Sequence, residues 1–594
     1  MKDPLLYPFD PLQLIRQKKK LRRTLSERGV TTHTRIAILG GSTTAEFKDM
    51  LEIFLLGSGI KPEFYECDYG QYYEAAVFEN QELQKFQPQL ACVFTSFANI
   101  THLPAPQDSE DRVQESLRSE QNKLHEIWDK LSQQYNCTII QNNFELPRVR
   151  VLGNLDFSAH QGGVHFIHLL NQYLAKAARE RGNLHICDIN YLSSWMGLQN
   201  WYDPNLWHSY KYAMSFMAVP YIAHNVAAMI RGIHGSSKKC LVLDLDNTLW
   251  GGVIGDDGLS GIKMGKDTPV GEAFSDFQAY IKALKERGII LAVCSKNEEE
   301  NARQGLTHPD SKLSAKDFTC IKANWEPKHF NLSKISNEIN IGLESLVFVD
   351  DNPAERELVA AQMPQISVPN VGGRVEHYMD ILDKGNYFET VSLTEEDLKR
   401  SAQYNHRAEI QAYAQRFESY DEFLTSLQMR AEIQPFSNLY VDRITQLINK
   451  TNQFNLTNKR LSLDEVKSIA ADAGYLALYG KLQDKFGDSG LITSSIGRIQ
   501  GDELHIEVWV MSCRVLKRSM EHAMFQRLRK SAEDHGLRRI FGYYKPTEKN
   551  RMVKNLYHEL GFELMKTAEK EEMVWLYDIE KAALPPKALM EILK

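Results

Sequence analysis

The chain has no C-x-x-C pair. Its eight cysteines are scattered over 594 residues without metal-ligand spacing. That excludes a disulfide framework and a common zinc site, and it fits a reducing compartment. Long apolar runs are also missing. The most apolar stretch, "AMSFMAVPYIAHNVAAMI", is interrupted by Pro220, His224 and Asn225, so it does not read as a membrane span. "MKDPLLYPFD" at the N-terminus lacks the apolar core of a signal peptide. Positive charge is not in excess: 70 Lys and Arg stand against 77 Asp and Glu, a formal net charge of −7. No electrostatic footprint for nucleic acid results. The one dense basic run, "RQKKKLRR" (Arg16–Arg23), reads as the solvated face of an opening helix, with an anionic partner site as the alternative. Repeats and low-complexity tracts are absent. The expectation is a soluble, cytoplasmic protein with neither a membrane nor a nucleic-acid partner.

What is present is an ordinary globular composition, 43% hydrophobic and 25% charged, in a chain too long for one core. In residues 1–235, short apolar runs ("RIAILG", "LACVFTSF", "CTIIQN", "LHICDI") alternate with segments of helical periodicity. Strand–helix alternation implies a mainly parallel sheet. The alternation restarts at Cys240 and continues through a second domain, 236–375. Residues 376–430 are polar and rich in Glu, Lys and Gln, and read as a helical connector. A third domain, 431–594, opens with the helix "VDRITQLINKT" and continues through the strands "YLALYGKLQD", "GLITSSIGRIQ" and "ELHIEVWVMS". The fold class expected is therefore α/β and multidomain.

The second domain carries the chemistry. In "LVLDLDNTLWGG" (Leu241–Gly252) an apolar strand ends in two aspartates one residue apart, Asp244 and Asp246. Residues i and i+2 of a strand share a face. A bare buried carboxylate costs several kcal/mol unless it is paired or coordinates a cation. A second acidic pair, Asp350 and Asp351, closes the strand "SLVFVDD". Another strand ends in Ser295 and Lys296, and Lys328 lies between the last two strands. Ligands of parallel sheets collect at the carboxyl ends of strands. Carboxylates from two strands suit a hard cation such as Mg²⁺, and the hydroxyl and ammonium suit phosphate oxygens. Only about twenty residues follow "DLDNTLW" before the next helix, room for a β-hairpin flap but not a large cap.

These elements, in this order, resemble the haloacid dehalogenase (HAD) superfamily, with its Rossmann-like parallel sheet. "LDLDNTLWGGVIGDDG", "VCSKN", "NWEPK" and "FVDDNPAERE" are similar to its FkbH-like branch. The resemblance implies that Asp244 is the nucleophile or phosphate-contacting carboxylate, Asp246 the general acid/base and Lys328 a phosphate-orienting cation. It implies Mg²⁺ held by Asp244, Asp246, Asp350 and Asp351, and substrate contacts from Thr248, Gly251, Gly252, Ser295, Lys296 and Asn297. The implied activity takes 1,3-bisphosphoglycerate, removes phosphate and loads a glyceryl unit onto the phosphopantetheine thiol of an acyl carrier protein in polyketide or related biosynthesis. The rivals are a plain Mg²⁺-dependent phosphatase and a non-catalytic synthase scaffold. Cys294 has two readings: a transient thioester carrier beside Ser295, or a core residue turned inward by strand alternation. Cys240 and Cys320 read as core.

The outer domains carry weaker signals. "ILGGSTT", with Ser42, and "WYDPNLWHSYK", with Asp203 and His208, are similar to SGNH-type hydrolases. The final Asp and His are stretched five residues apart, so a degenerate fold stands beside an active hydrolase. "EVWVMSCRVLKRSMEHAMF" and "NLYHELGFE" resemble GNAT acyltransferases. Within Arg514–Ser519, however, Lys517 and Ser519 stand where that family has glycine for close backbone approach to coenzyme A. A groove for the phosphopantetheine arm and a packing domain are the other readings.

Overall fold

The computed structural model describes residues 3–593 except 28, 30, 31, 396, 399–403, 405–416, 418, 513, 514, 548 and 568–571. Much of the expected 376–430 connector, along with Arg514, lies outside the described residues. The chain divides into two units, Met1–Gly232 and Ile233–Lys594. No described helix is long and apolar enough to cross a membrane.

In the first unit β1 (Thr32–Gly40), β2 (Ile60–Glu66), β3 (Leu90–Phe94), β4 (Thr138–Asn142) and β5 (Leu184–Cys187) form a parallel sheet in the order β2-β1-β3-β4-β5. Ile36 to Leu39 are fully buried, covered by helices such as Ala45–Gly57 and Glu110–Tyr135. Strand β2 escapes the sequence reading because "IKPEFYE" is a half-exposed edge strand with no apolar run. The basic run opens on the helix Pro11–Ser26, where Lys18 pairs with Asp49 at 2.9 Å and Arg22 with Glu52 at 2.7 Å. Part of its charge therefore serves helix–helix packing.

The second unit contains two sheets. β6 (Cys240–Leu243), β7 (Ile290–Ser295), β8 (Cys320–Ala323) and β9 (Leu346–Val349) are all parallel, in the order β8-β7-β6-β9. Residues 240–243 and 346–349 are fully buried. This accounts for the continuous apolar runs that mark strands covered on both faces. The second sheet has eight strands: β10 (Arg430–Pro435), β11 (Tyr475–Asp484), β12 (Gly487–Gln500), β13 (Glu503–Met511), β14 (Arg539–Tyr544), β15 (Glu563–Thr567), β16 (Met573–Asp578) and β17 (Glu591–Leu593). Their order is β15-β16-β14-β13-β12-β11-β10-β17. Its one parallel pair in the middle, β13 and β14, is in register only from Glu503–Arg539 to Ile506–Gly542 and then splays.

Candidate active site

Register brings the carboxylates together. Leu243 of β6 pairs with Val349 of β9, so the next residues, Asp244 and Asp350, leave the sheet side by side. The Asp244 amide still donates to the Val349 carbonyl at 2.9 Å. Oxygens of Asp244, Asp350 and Asp351 lie within 4.8 Å of one another. Lys328, first residue of the helix Lys328–Ile339, places its Nζ 2.9 Å from Asp244 Oδ2 and 2.5 Å from Asp350 Oδ2. Its side chain is 3% exposed. Thr248 braces the site by accepting the Asp351 amide at 3.1 Å.

Three carboxylates and one ammonium, if all ionised, carry a net charge of −2 in a buried place. Burial, then the neighbouring Asp244 charge, holds the carboxyls of Asp350 and Asp351 above the ordinary aspartate value. Burial alone would lower the Lys328 ammonium, but Asp244 and Asp350 reverse that and keep it above the ordinary lysine value. Asp244 Oδ1 is buried and has no hydrogen-bond partner. An all-oxygen donor set of excess negative charge fits a hard divalent cation. Asp244, Asp350 and Asp351 would hold Mg²⁺, which would neutralise phosphate oxygens and orient the phosphoryl group.

Asp246 departs from expectation as a metal ligand, because its carboxylate is turned away from this cluster. Its Oδ1 accepts from Trp250 Nε1 at 2.9 Å and the Ile254 amide at 3.1 Å, and its Oδ2 accepts from Asn297 Nδ2 at 2.9 Å. Burial raises its carboxyl above the usual range, which suits a proton donor better than a cation ligand. Asn297 thus orients Asp246. The expected hairpin flap is instead helical over Ile254–Gly261, kinked at Gly258 (φ +66°), and closed by a bridge between Gly251 and Lys263. Its first turn is held by carboxylates, since Asp246 takes the Ile254 amide and Asp257 takes that of Val253.

Gly251 and Gly252 were expected at the substrate, yet their amides are committed to Lys263 O and Asn247 Oδ1. Gly252 has φ +95°, and a Cβ there would meet Asp257 Oδ2 at 2.5 Å; its role is the turn. Lys296 is paired with Glu355 at 2.5 Å and Lys334 with Glu326, which leaves Lys328 as the cation of the carboxylate cluster. Ser295 is buried at the end of β7, as expected of a strand-end residue.

Cys294 is not placed as a nucleophile. It is fully buried in an apolar cluster with Val242, Ala292, Cys240 and Cys320, and its thiol faces the Lys328 carbonyl at 3.7 Å. Burial drives that thiol well above its ordinary value. Strand alternation turned it into the core. The residue that the sequence reading missed is Arg356. It is 8% exposed, and its Nη1 donates to the carbonyls of Asp350 at 2.7 Å and Asp351 at 2.6 Å, fixing the acidic loop. The signal was its place just beyond the pair in "DDNPAERE".

The outer sites do not assemble in the same way. Asp203 spends its carboxylate capping its own helix through the Asn205 and Leu206 amides, His208 is exposed, and no hydrogen bond joins either to Ser42. In the last domain Lys517 and Ser519 both have φ +63°, the left-handed conformation that favours glycine. Tyr420 already occupies the Lys517 carbonyl at 2.8 Å, and Arg518 is buried against Asp484 at 2.8 Å.

The fold and the cluster define a HAD-type domain. Comparison agrees: the N-terminal part of protein BF1531 from Bacteroides fragilis, which contains a phosphatase domain and was crystallised with Mg, is 29% identical and matches with a TM-score of 0.59, covering 63% of this chain and 99% of that one. Residues 35–231 match the family model of the FkbH N-terminal domain. The chain is thus similar to FkbH over residues 35–231 and to the BF1531 fragment over 63% of its length. In its C-terminal part it is matched by the ribosomal-protein-S18-alanine N-acetyltransferase of Escherichia coli (15% identity, 26% of this chain and 93% of that chain, TM-score 0.20). The GNAT domain of S. lividans PAT matches there too (15%, 25% and 89%, 0.21). No curated protein matches the chain.

Proposed function

We propose that the central domain removes phosphate through Asp244 and that the protein loads a glyceryl-type acyl unit onto a carrier-protein thiol. The observation that carries the phosphatase half is the unpartnered Asp244 Oδ1 beside Lys328, Asp350 and Asp351. Lys328 holds Asp244 by Oδ2, so Oδ1 is the oxygen left to attack phosphorus. The P–O bond to the substrate breaks as the aspartyl phosphate forms, and Asp246 gives its proton to the leaving oxygen. Asp246 then takes a proton from water, which attacks the phosphorus and restores Asp244.

The donor is 1,3-bisphosphoglycerate, by resemblance of the "LDLDNTLWGG" and "VDDNPAERE" motifs to the FkbH-like branch. At its acyl phosphate the carrier sulfur attacks the carbonyl carbon and the C–O bond to phosphate breaks. The thiol proton leaves with the phosphate. Burial of Cys294 favours direct attack by the carrier thiol over a thioester on the enzyme. The short flap Ile254–Gly261 suits a macromolecular partner, because it leaves the mouth without a large cap. The test is the intact mass of a candidate carrier after incubation with enzyme, Mg²⁺ and 1,3-bisphosphoglycerate. Gain of one glyceryl unit is expected. Phosphate release at an unchanged rate without carrier, and no mass gain with it, would leave a plain phosphatase.

A further inference from the structure

The split between β13 and β14 creates a second place where chemistry converges. Beyond Ile506 and Gly542 the two strands part, and each would present unpaired backbone groups to the gap. The segment Phe454–Thr457 fills it. Met511 and Leu456 amides donate to Phe454 O and Trp509 O at 3.1 and 3.2 Å, and the Lys545 amide donates to Leu456 O at 2.8 Å. Where this segment leaves the gap lies a pocket of about 470 Å³, lined by Lys459, Gln500, His505, Glu507, Tyr543 and Lys545 among others.

A chain of hydrogen bonds reaches this pocket from behind. Arg539 Nη2 pairs with Glu503 Oε1 at 3.0 Å, Glu503 Oε2 lies 3.1 Å from His505 Nε2, and His505 Nδ1 lies 2.7 Å from the Tyr543 hydroxyl. The His505 ring is stacked on Phe541 at 4.9 Å and 6°, which fixes its plane. An ion-paired carboxylate only accepts, so Nε2 carries a hydrogen, and in the neutral ring Nδ1 is then the acceptor. With the ring in that form the Tyr543 proton is committed to His505, and its oxygen offers lone pairs to the pocket. On the rim Lys459 is neutralised by Glu507 at 2.7 Å, whereas Lys545 has Glu572 at 3.6 Å, too long for a hydrogen bond.

We infer that this pocket binds a small molecule that carries both an anionic oxygen group, met by Lys545, and a hydroxyl or ammonium donor, met by the Tyr543 oxygen. Carboxylate and phosphate share the required anion chemistry, and two probes separate them. Saturation-transfer NMR on the full chain without Mg²⁺ would use lactate and glycerol phosphate, with propionate as the acid that lacks a hydroxyl. Lactate or glycerol phosphate should bind more tightly than propionate, and the stronger of the two identifies the anion. Lys545 is exposed, so Lys545→Ala should leave the fold intact while weakening binding about fivefold or more, as for one lost charge-assisted contact. Tyr543→Phe should abolish the advantage of lactate over propionate without changing propionate itself. Saturation signals that persist unchanged in both variants would belong to the phosphatase site and overturn the inference, as would no signal at all.

Discussion

Two parallel sheets in this chain obey the same rule and end differently. At the carboxyl edge of the first unit's sheet the polar residues are amides that satisfy one another. Asn142 exchanges bonds with the Thr95 backbone at 2.8 and 2.5 Å, Gln141 meets Trp128 Nε1 and Thr95 Oγ1, and Asn143 meets Asp188 and the Asn190 amide. At the same edge of the central sheet the residues are like charges, and one oxygen has no partner. A satisfied buried network stabilises, and an unsatisfied one awaits a ligand. A lone unpartnered oxygen also lies beyond β4, at Glu145 Oε2, so what separates the site from the scaffold is an unpartnered oxygen within a cluster of like charges.

Breaking the charged edge should have the largest effect. Asp244→Asn keeps shape but removes the proposed nucleophile, and phosphate release should fall about a thousandfold or more, with circular dichroism unchanged. Wild-type turnover in that variant would end the nucleophile assignment.

Lys328→Ala should cost two to three orders of magnitude in turnover, roughly the loss of one preorganised electrostatic group. It should also destabilise the second unit by about 3–5 kcal/mol, because Asp244 and Asp350 stay buried without a counter-charge. Thermal unfolding should show Mg²⁺ recovering part of that loss, and a variant as stable as wild type in EDTA would contradict the charge balance described above.

Mg²⁺ itself should raise the melting temperature of the wild type, with about 2.7 kcal/mol gained at a hundredfold excess over its dissociation constant. Asp351→Asn should shift the metal titration by about tenfold, the equivalent of some 1.4 kcal/mol of lost coordination. An unshifted titration would remove Asp351 from the donor set.

At the satisfied edge the response should be purely structural. Asn143→Ala should cost about 1–3 kcal/mol by stranding buried partners and leave phosphate release untouched. Smallest of all, Ser42→Ala and Cys294→Ala should change turnover by less than about twofold, since neither reaches a reacting atom; a tenfold loss in either would restore a covalent role.

Pattern alone carried much of this. The runs at Leu241–Leu245 and Leu346–Val349 announced buried parallel strands because both faces are covered. Strand β11 was legible to the residue because its turns are sharp at both ends. Edge strand β2 and the short strands β15 and β17 were not, because exposed or half-exposed residues carry no apolar periodicity. The flap was read as a hairpin, since nothing local in "GGVIGDDGLSG" reports that a distant carboxylate, Asp246, would cap a helix there.

The sequence by itself determined which residue types stand at or just beyond the strand ends, Asp244, Asp246, Ser295, Asp350 and Asp351, and that Lys328 opens the segment between the last two strands. Strand period and composition are local properties, so order along the chain suffices to read them. Only the tertiary structure decided how these residues divide the work. Register between β6 and β9 set Asp244 beside Asp350, the turn after β6 sent Asp246 to Trp250 and Asn297, and alternation along β7 buried Cys294. Several of those outcomes depend on distant partners, such as Asn297, 51 residues from Asp246, and Asp351, 103 residues from Thr248. A hydrogen bond or an ion pair is made in space, and no local pattern records it.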